Sequence, residues 1–134
     1  MFVEVSEMNS QEMVEEFLNI FPECKDYYSE HMSDYNDLLQ HIFYAEVINL
    51  PLFALLKGNS DPCQIKKYVG FIELMWSHGD ESIRNVVDVT ILERLSDDKD
   101  VWYNFSTYIS KDFKSYINKE LLSQNYAMEH VEPI

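Results

Sequence analysis

Apolar residues at Val14, Phe17, Leu18 and Phe21 recur at the spacing of one helical face, while Glu12, Glu15, Glu16 and Asn19 fall on the other. The pattern predicts an amphipathic helix that opens at Asn9, with Glu12 three residues on to complete a capping box, and stops at Pro22. A second, shorter helix is predicted from Glu23 to about Met32. A longer one starts near Asp34 and turns Leu38, Leu39, Ile42, Phe43 and Val47 inward. Pro51 should bend or break it, leaving two segments. The second runs from Pro51 to Leu56, with proline tolerated in a first turn and Lys57-Gly58 as a basic stop.

Asp61-Pro62-Cys63-Gln64 combines a cap, a first-turn proline and a box-closing Gln, so it marks a strong helix start. The following stripe is Ile65, Tyr68, Val69, Ile72, Met75 and Trp76, closed by Gly79 as a left-handed residue. Asp80 opens the next helix, carrying Ile83, Val86, Val87, Thr90, Ile91 and Leu95. The β-branched run Val86–Ile91 also permits a strand, but length and caps favour helix. After the loop or capping run Ser96–Asp100, Val101, Trp102, Phe105, Tyr108 and Ile109 form another face. Ser110 then caps a last helix through Phe113, Tyr116, Ile117 and Leu121. The expected fold is all-α: an irregular antiparallel bundle of six to eight helices in a single domain, 1–134, with residues 123–134 loosely held.

The size and a 46% hydrophobic fraction supply one real core. The charge is the unusual feature. The chain carries −14, of which residues 1–56 contribute −10, because eleven acids there face a single basic residue, Lys25. Such a surface repels nucleic acid and anionic membranes and attracts basic partners. The opening MFVEVSEMN has two Glu and no basic residue, unlike the basic start of a secretory signal, so export by that route is not expected. The most apolar stretch, Ile42 to Leu56, falls short of the roughly 20 residues of a bilayer span. Two distant cysteines, Cys24 and Cys63, read as reduced thiols, which points to a cytoplasmic protein.

Enzymatic signals are missing from the sequence. His31, His41, His78 and His130 make no metal-ligand spacing, and Asp97-Asp98-Lys99-Asp100 lacks the glycine and closing glutamate of a calcium loop. Gly58, Gly70 and Gly79 stand alone, so no phosphate or dinucleotide loop is present. No cofactor, no metal and no catalysis are expected. Tyr27, Tyr28, Tyr35 and Tyr44 sit among the early acids, which suits either a binding surface or core packing.

Phe71-Ile72-Glu73-Leu74, Gly79-Asp80, Asn85-Val86-Val87 and Ile91-Leu92-Glu93-Arg94-Leu95 resemble motifs of small helical bacterial immunity proteins. The family is that of contact-dependent growth inhibition and related polymorphic toxin systems, and the likeness covers about residues 65–122. The resemblance implies a cytoplasmic protein that binds and neutralises the toxin domain delivered by a neighbouring cell. It transfers no inhibitory residue. Charge completes the expectation: the partner is a cognate toxin, a nuclease domain with a basic surface. The contacts expected are Glu12, Glu15, Glu16, Glu23, Asp26, Tyr27, Tyr28, Asp34 and Asp37, with Asp97, Asp98 and Asp100 as a second surface. The alternative is an acidic helical regulatory or scaffold protein with another basic partner. A hydrolase acting on a small substrate stands third.

Overall fold

The computed structural model describes residues 7–134. Among these, seven helices form one all-α domain. Helix α1 is Ser10–Ile20. A 3₁₀ turn, Pro22–Cys24, runs into α2, Lys25–Tyr35. Helix α3 joins Gln40–Tyr44, a wide π turn Ala45–Asn49 and Leu50–Gly58. Helix α4 is Pro62–His78. Helix α5 joins Glu81–Asn85, the π turn Val86–Leu92 and Glu93–Ser96. Helix α6 is Lys99–Ser106, and α7 joins Lys111–Tyr116, the π turn Ile117–Leu121 and Leu122–Gln124.

Local side-chain chemistry sets most boundaries. Asn9 Oδ1 accepts from the Glu12 amide at 2.9 Å while Glu12 accepts back from the Asn9 amide at 3.1 Å, the reciprocal box read from sequence. Asp61, Asp80 and Ser110 cap α4, α5 and α7 through the amides of Gln64, Ile83 and Phe113. Asp98 caps α6 through the Asp100 and Val101 amides.

Four boundary expectations are corrected. Helix α2 runs on to Tyr35, so no helix starts near Asp34; Asn36, at φ 54°, ends it in the left-handed region that asparagine tolerates. Pro51 does not break α3. The preceding turn widens, and the Leu50 amide donates to the Ala45 carbonyl five residues back. This relieves the clash a proline ring makes with the carbonyl four residues upstream. Asn59, not Gly58, supplies the left-handed residue after α3, at φ 47°. Gly79 is extended, at φ −73°. Its glycine is required for space: a Cβ there would overlap the Met75 carbonyl oxygen and stand 2.5 Å from Ile83 Cγ2.

The Val86–Ile91 run is helical, as length and caps indicated. Its β-branched residues sit in a π turn that buries Val86, Val87, Ile91 and Leu92, a five-residue spacing. Thr90 therefore leaves the expected stripe, and its Oγ1 stands 2.6 Å from His41 Nδ1. The stretch 123–134, expected to be loosely held, is tied down. Met128 is buried, and Asn118 exchanges two hydrogen bonds with the backbone of Ile134, both 2.8 Å.

The core has two aromatic centres. Phe17 is the hub of the first, with ring centroids 4.8 Å from Phe21, 5.9 Å from Phe43, 5.8 Å from Tyr44 and 5.1 Å from Phe71. The second joins Trp76, Phe105, Phe113 and Tyr116. Buried His31 links helix α2 to α3. Its Nε2 accepts the Leu39 amide at 3.0 Å, and its ring meets Phe43 edge-on. That contact fixes the short connection between α2 and α3, and so the relation of the acids on one to the outer face of the other.

Candidate functional site

Glu12, Glu15 and Glu16 lie on α1 and Asp26 and Asp34 on α2, away from the positions that face the core, while Glu23 sits in the 3₁₀ turn between the two helices and Asp37 follows α2. Glu12, Glu15, Glu23, Asp26, Asp34 and Asp37 are exposed and Glu16 is half-buried. Three have local duties. Glu12 closes the capping box, Glu15 accepts from Gln11 at 3.0 Å, and Asp37 accepts the Leu38 amide at 2.8 Å. None of the seven forms an ion pair with Lys or Arg among the described residues. Their negative potential therefore faces outward.

Asp26, Glu30 and Asp34 follow at i, i+4 and i+8, one exposed stripe along α2. Glu30 was not among the residues expected to bind, although the four-residue spacing in the sequence signals it. Glu46, on α3, was also missed; it joins the patch only through tertiary packing. Tyr27 stands where α2 and α3 meet, with its ring against Phe43. Burial pushes its phenol above the ordinary value, and Glu46, Tyr35, Glu30 and Asp34 push it further.

The tyrosines divide between the two roles left open by the sequence. Tyr44 is fully buried, so it belongs to the core. Tyr27 and Tyr28 are half-buried, each with its ring centroid 5.8 Å from Phe43. Tyr35 is exposed and lies over His31 at 4.8 Å.

The second predicted surface is differently built. Lys57 Nζ is 2.8 Å from Asp98 and 3.5 Å from Asp100, and Arg94 is 3.4 Å from Asp97. The Lys57 bond, with the Val101 amide, holds the Asp98 carboxyl below its usual range, while that same bond raises Lys57. Asp97, Asp98 and Asp100 thus spend their charge within the molecule. Asp98 caps α6 and, with Asp100, ties it through Lys57 to the end of α3, while Asp97 pairs locally with Arg94 at the end of α5.

A cavity of about 500 Å³ opens between α5, α7 and the C-terminal segment. Asp88 and Tyr116 line it, with the Tyr116 hydroxyl 2.8 and 2.7 Å from the two Asp88 oxygens. Burial pushes the Asp88 carboxyl above its usual value, against the opposing effects of the Tyr116 bond and Arg84. No cluster of three or more His, Cys, Asp or Glu residues suited to a metal occurs among the described residues.

Fold and surface define an all-α domain with an outward-facing acidic patch on α1 and α2. The chain belongs to the family described as Domain of unknown function (DUF7674), whose profile matches residues 14–126. No curated protein and no solved structure matches it. The matched span runs from within α1 to the 3₁₀ turn Tyr126–Met128, and so includes both aromatic centres and most of the acidic patch.

Proposed function

We propose that this protein is a noncatalytic immunity protein that binds and neutralises a cognate toxin domain, a basic nuclease, in the bacterial cytoplasm. One observation carries the reading: the acids of α1 and α2 have no Lys or Arg partner among the described residues, whereas Lys57 pairs with Asp98 and Asp100 and Arg94 pairs with Asp97. A surface selected only for solubility has no need to separate the signs in this way. The absence, among the described residues, of any helix long and apolar enough to cross a membrane accords with an inhibitor that meets its target in solution.

A nuclease must keep a basic cleft to hold phosphates, so carboxylates on a rigid helical face can occupy that cleft or close its mouth. Opposite charge speeds encounter toward about 10⁸ M⁻¹s⁻¹ at low salt and rejects acidic competitors. Lasting affinity then comes from buried aromatic or aliphatic anchors rather than from the charges.

The test is co-expression with the C-terminal domain of a large exported protein encoded next to this gene. Protection from killing, together with a complex that weakens with salt, is the expected result. Unprotected cells and no complex at low salt would refute the reading.

A further inference from the structure

The Leu50–Gly58 segment of α3 is apolar on nearly every side, yet it lies at the surface. Leu52 and Leu56 face the core and Pro51, Phe53 and Leu55 are half-buried, while Leu50 and Ala54 are exposed. An all-round apolar helix normally has neighbours on every face. Here the uncovered face is a stripe at four-residue steps, Ile42, Glu46, Leu50 and Ala54, with Ile42 44% and Leu50 62% exposed. Its one charge, Glu46, is negative, and α2, which carries the exposed acids Glu30 and Asp34, packs beside it on α3 through Tyr27 and His31, whose rings lie 5.8 and 5.5 Å from Phe43.

We propose that this face of α3 is the apolar centre of the protein's interface, and that its occupant is an amphipathic basic segment of a partner protein. Leucine-sized side chains of the partner would cover Ile42, Leu50 and Ala54, and its Lys or Arg would meet Glu46, Glu30 and Asp34 at the edge. This matches the anatomy of stable interfaces, an apolar centre inside a polar rim. Arg94 already shows the chemistry on the flank of the same helix, with its guanidinium 4.4 Å from the Phe53 ring centroid. A second copy of the chain is disfavoured as occupant. At a net charge of −14, a symmetric contact would set these carboxylates against their own copies. The inference deepens the immunity reading and rests on it only for the partner's identity.

The test titrates the ¹⁵N-labelled chain with a synthetic Leu/Lys amphipathic helix of about four turns. Amide shifts centred on Ile42, Glu46 and Leu50 are expected. The double variant Ile42→Glu with Leu50→Glu adds negative charge, so a purely electrostatic patch would bind the peptide more tightly. The proposal requires binding about tenfold weaker or worse, with the helix signal and urea midpoint retained. Shifts confined to α1, or unweakened binding by the double variant, overturn it. A dimer of the free chain that Leu50→Glu dissolves also overturns it, in favour of a second copy. The adjacent-gene toxin domain separates the two claims. Toxin bound equally by wild type and double variant overturns the α3 inference and leaves the immunity reading intact. Peptide docking on α3 without toxin binding does the reverse.

Discussion

Alanine at Gly79 and alanine at Gly70 should move stability in opposite directions, although both glycines have ordinary negative φ values. At Gly79 a Cβ would overlap the Met75 carbonyl oxygen and stand 2.5 Å from Ile83 Cγ2 and 2.8 Å from Ile83 Cβ. The carbonyl cannot retreat freely, because it accepts the Gly79 amide at 3.0 Å as the last bond of α4. Ile83 cannot either, since it is fully buried in the first turn of α5. Forcing a methyl into such a site costs about 1–3 kcal/mol, and the upper end applies when one wall is backbone. At Gly70, exposed in the middle of α4, nothing lies within 4 Å of the new methyl. Replacing a mid-helix glycine there gains about 0.5–1 kcal/mol. Urea unfolding reads the difference: with a slope of about 1–3 kcal/mol per molar, the two midpoints should separate by on the order of 1 M, with slopes unchanged. A Gly79→Ala protein as stable as wild type, or a destabilised Gly70→Ala, would refute the packing account of the α4–α5 corner.

Phe17→Ala removes the hub of the first aromatic centre and should cost about 3–5 kcal/mol by urea unfolding; a loss under about 1 kcal/mol would mean those ring contacts are not what holds α1 down. Asp80→Ala deletes the cap that accepts the Ile83 amide at 3.0 Å and should cost about 1 kcal/mol, whereas Asp80→Asn should nearly restore it. Asp88 provides the pH test. Its carboxyl is raised in the folded state, so its contribution is complete below the unfolded value of about 3.9 and is lost as pH rises through the higher folded value. Asp88→Asn keeps an acceptor for Tyr116 and does not titrate. Its midpoint relative to wild type should therefore improve from about pH 4 to about pH 7, and an unchanged difference would contradict the shift.

Capped helix starts were legible because they depend on contacts three residues apart: the Asn9–Glu12 box appears as read, and Asp61, Asp80 and Ser110 accept the amides of Gln64, Ile83 and Phe113, although Gln64 does not close the expected box and the start at Gln40, which has no side-chain cap, lies away from the one expected near Asp34. The π turns were not. A spacing argument built on 3.6 residues per turn has no place for the five-residue rhythm of Val86, Val87, Ile91 and Leu92, nor for a helix that widens to pass Pro51. The candidate site shows the same division. The exposure of the early acids follows from amphipathic spacing, and the α2 stripe including Glu30 was readable. That Lys57 would claim Asp98, across 41 positions, and that the helix carrying Glu46 would pack beside α2 through Tyr27, depends on packing that no local pattern encodes. Tyr44 joined the core for the same reason: its neighbours Phe17 and Phe71 belong to other helices.

The central claim is that the acids of α1 and α2 meet a basic protein. Association of the purified chain with the adjacent-gene toxin domain should be measured across a salt series, alongside a variant with Glu12, Glu15, Glu16, Glu23, Asp26, Asp34 and Asp37 changed to their amides. The account predicts an association rate that falls steeply with salt for wild type and is both slower and nearly flat for the variant. No binding at low salt, or two superimposable salt curves, would contradict it.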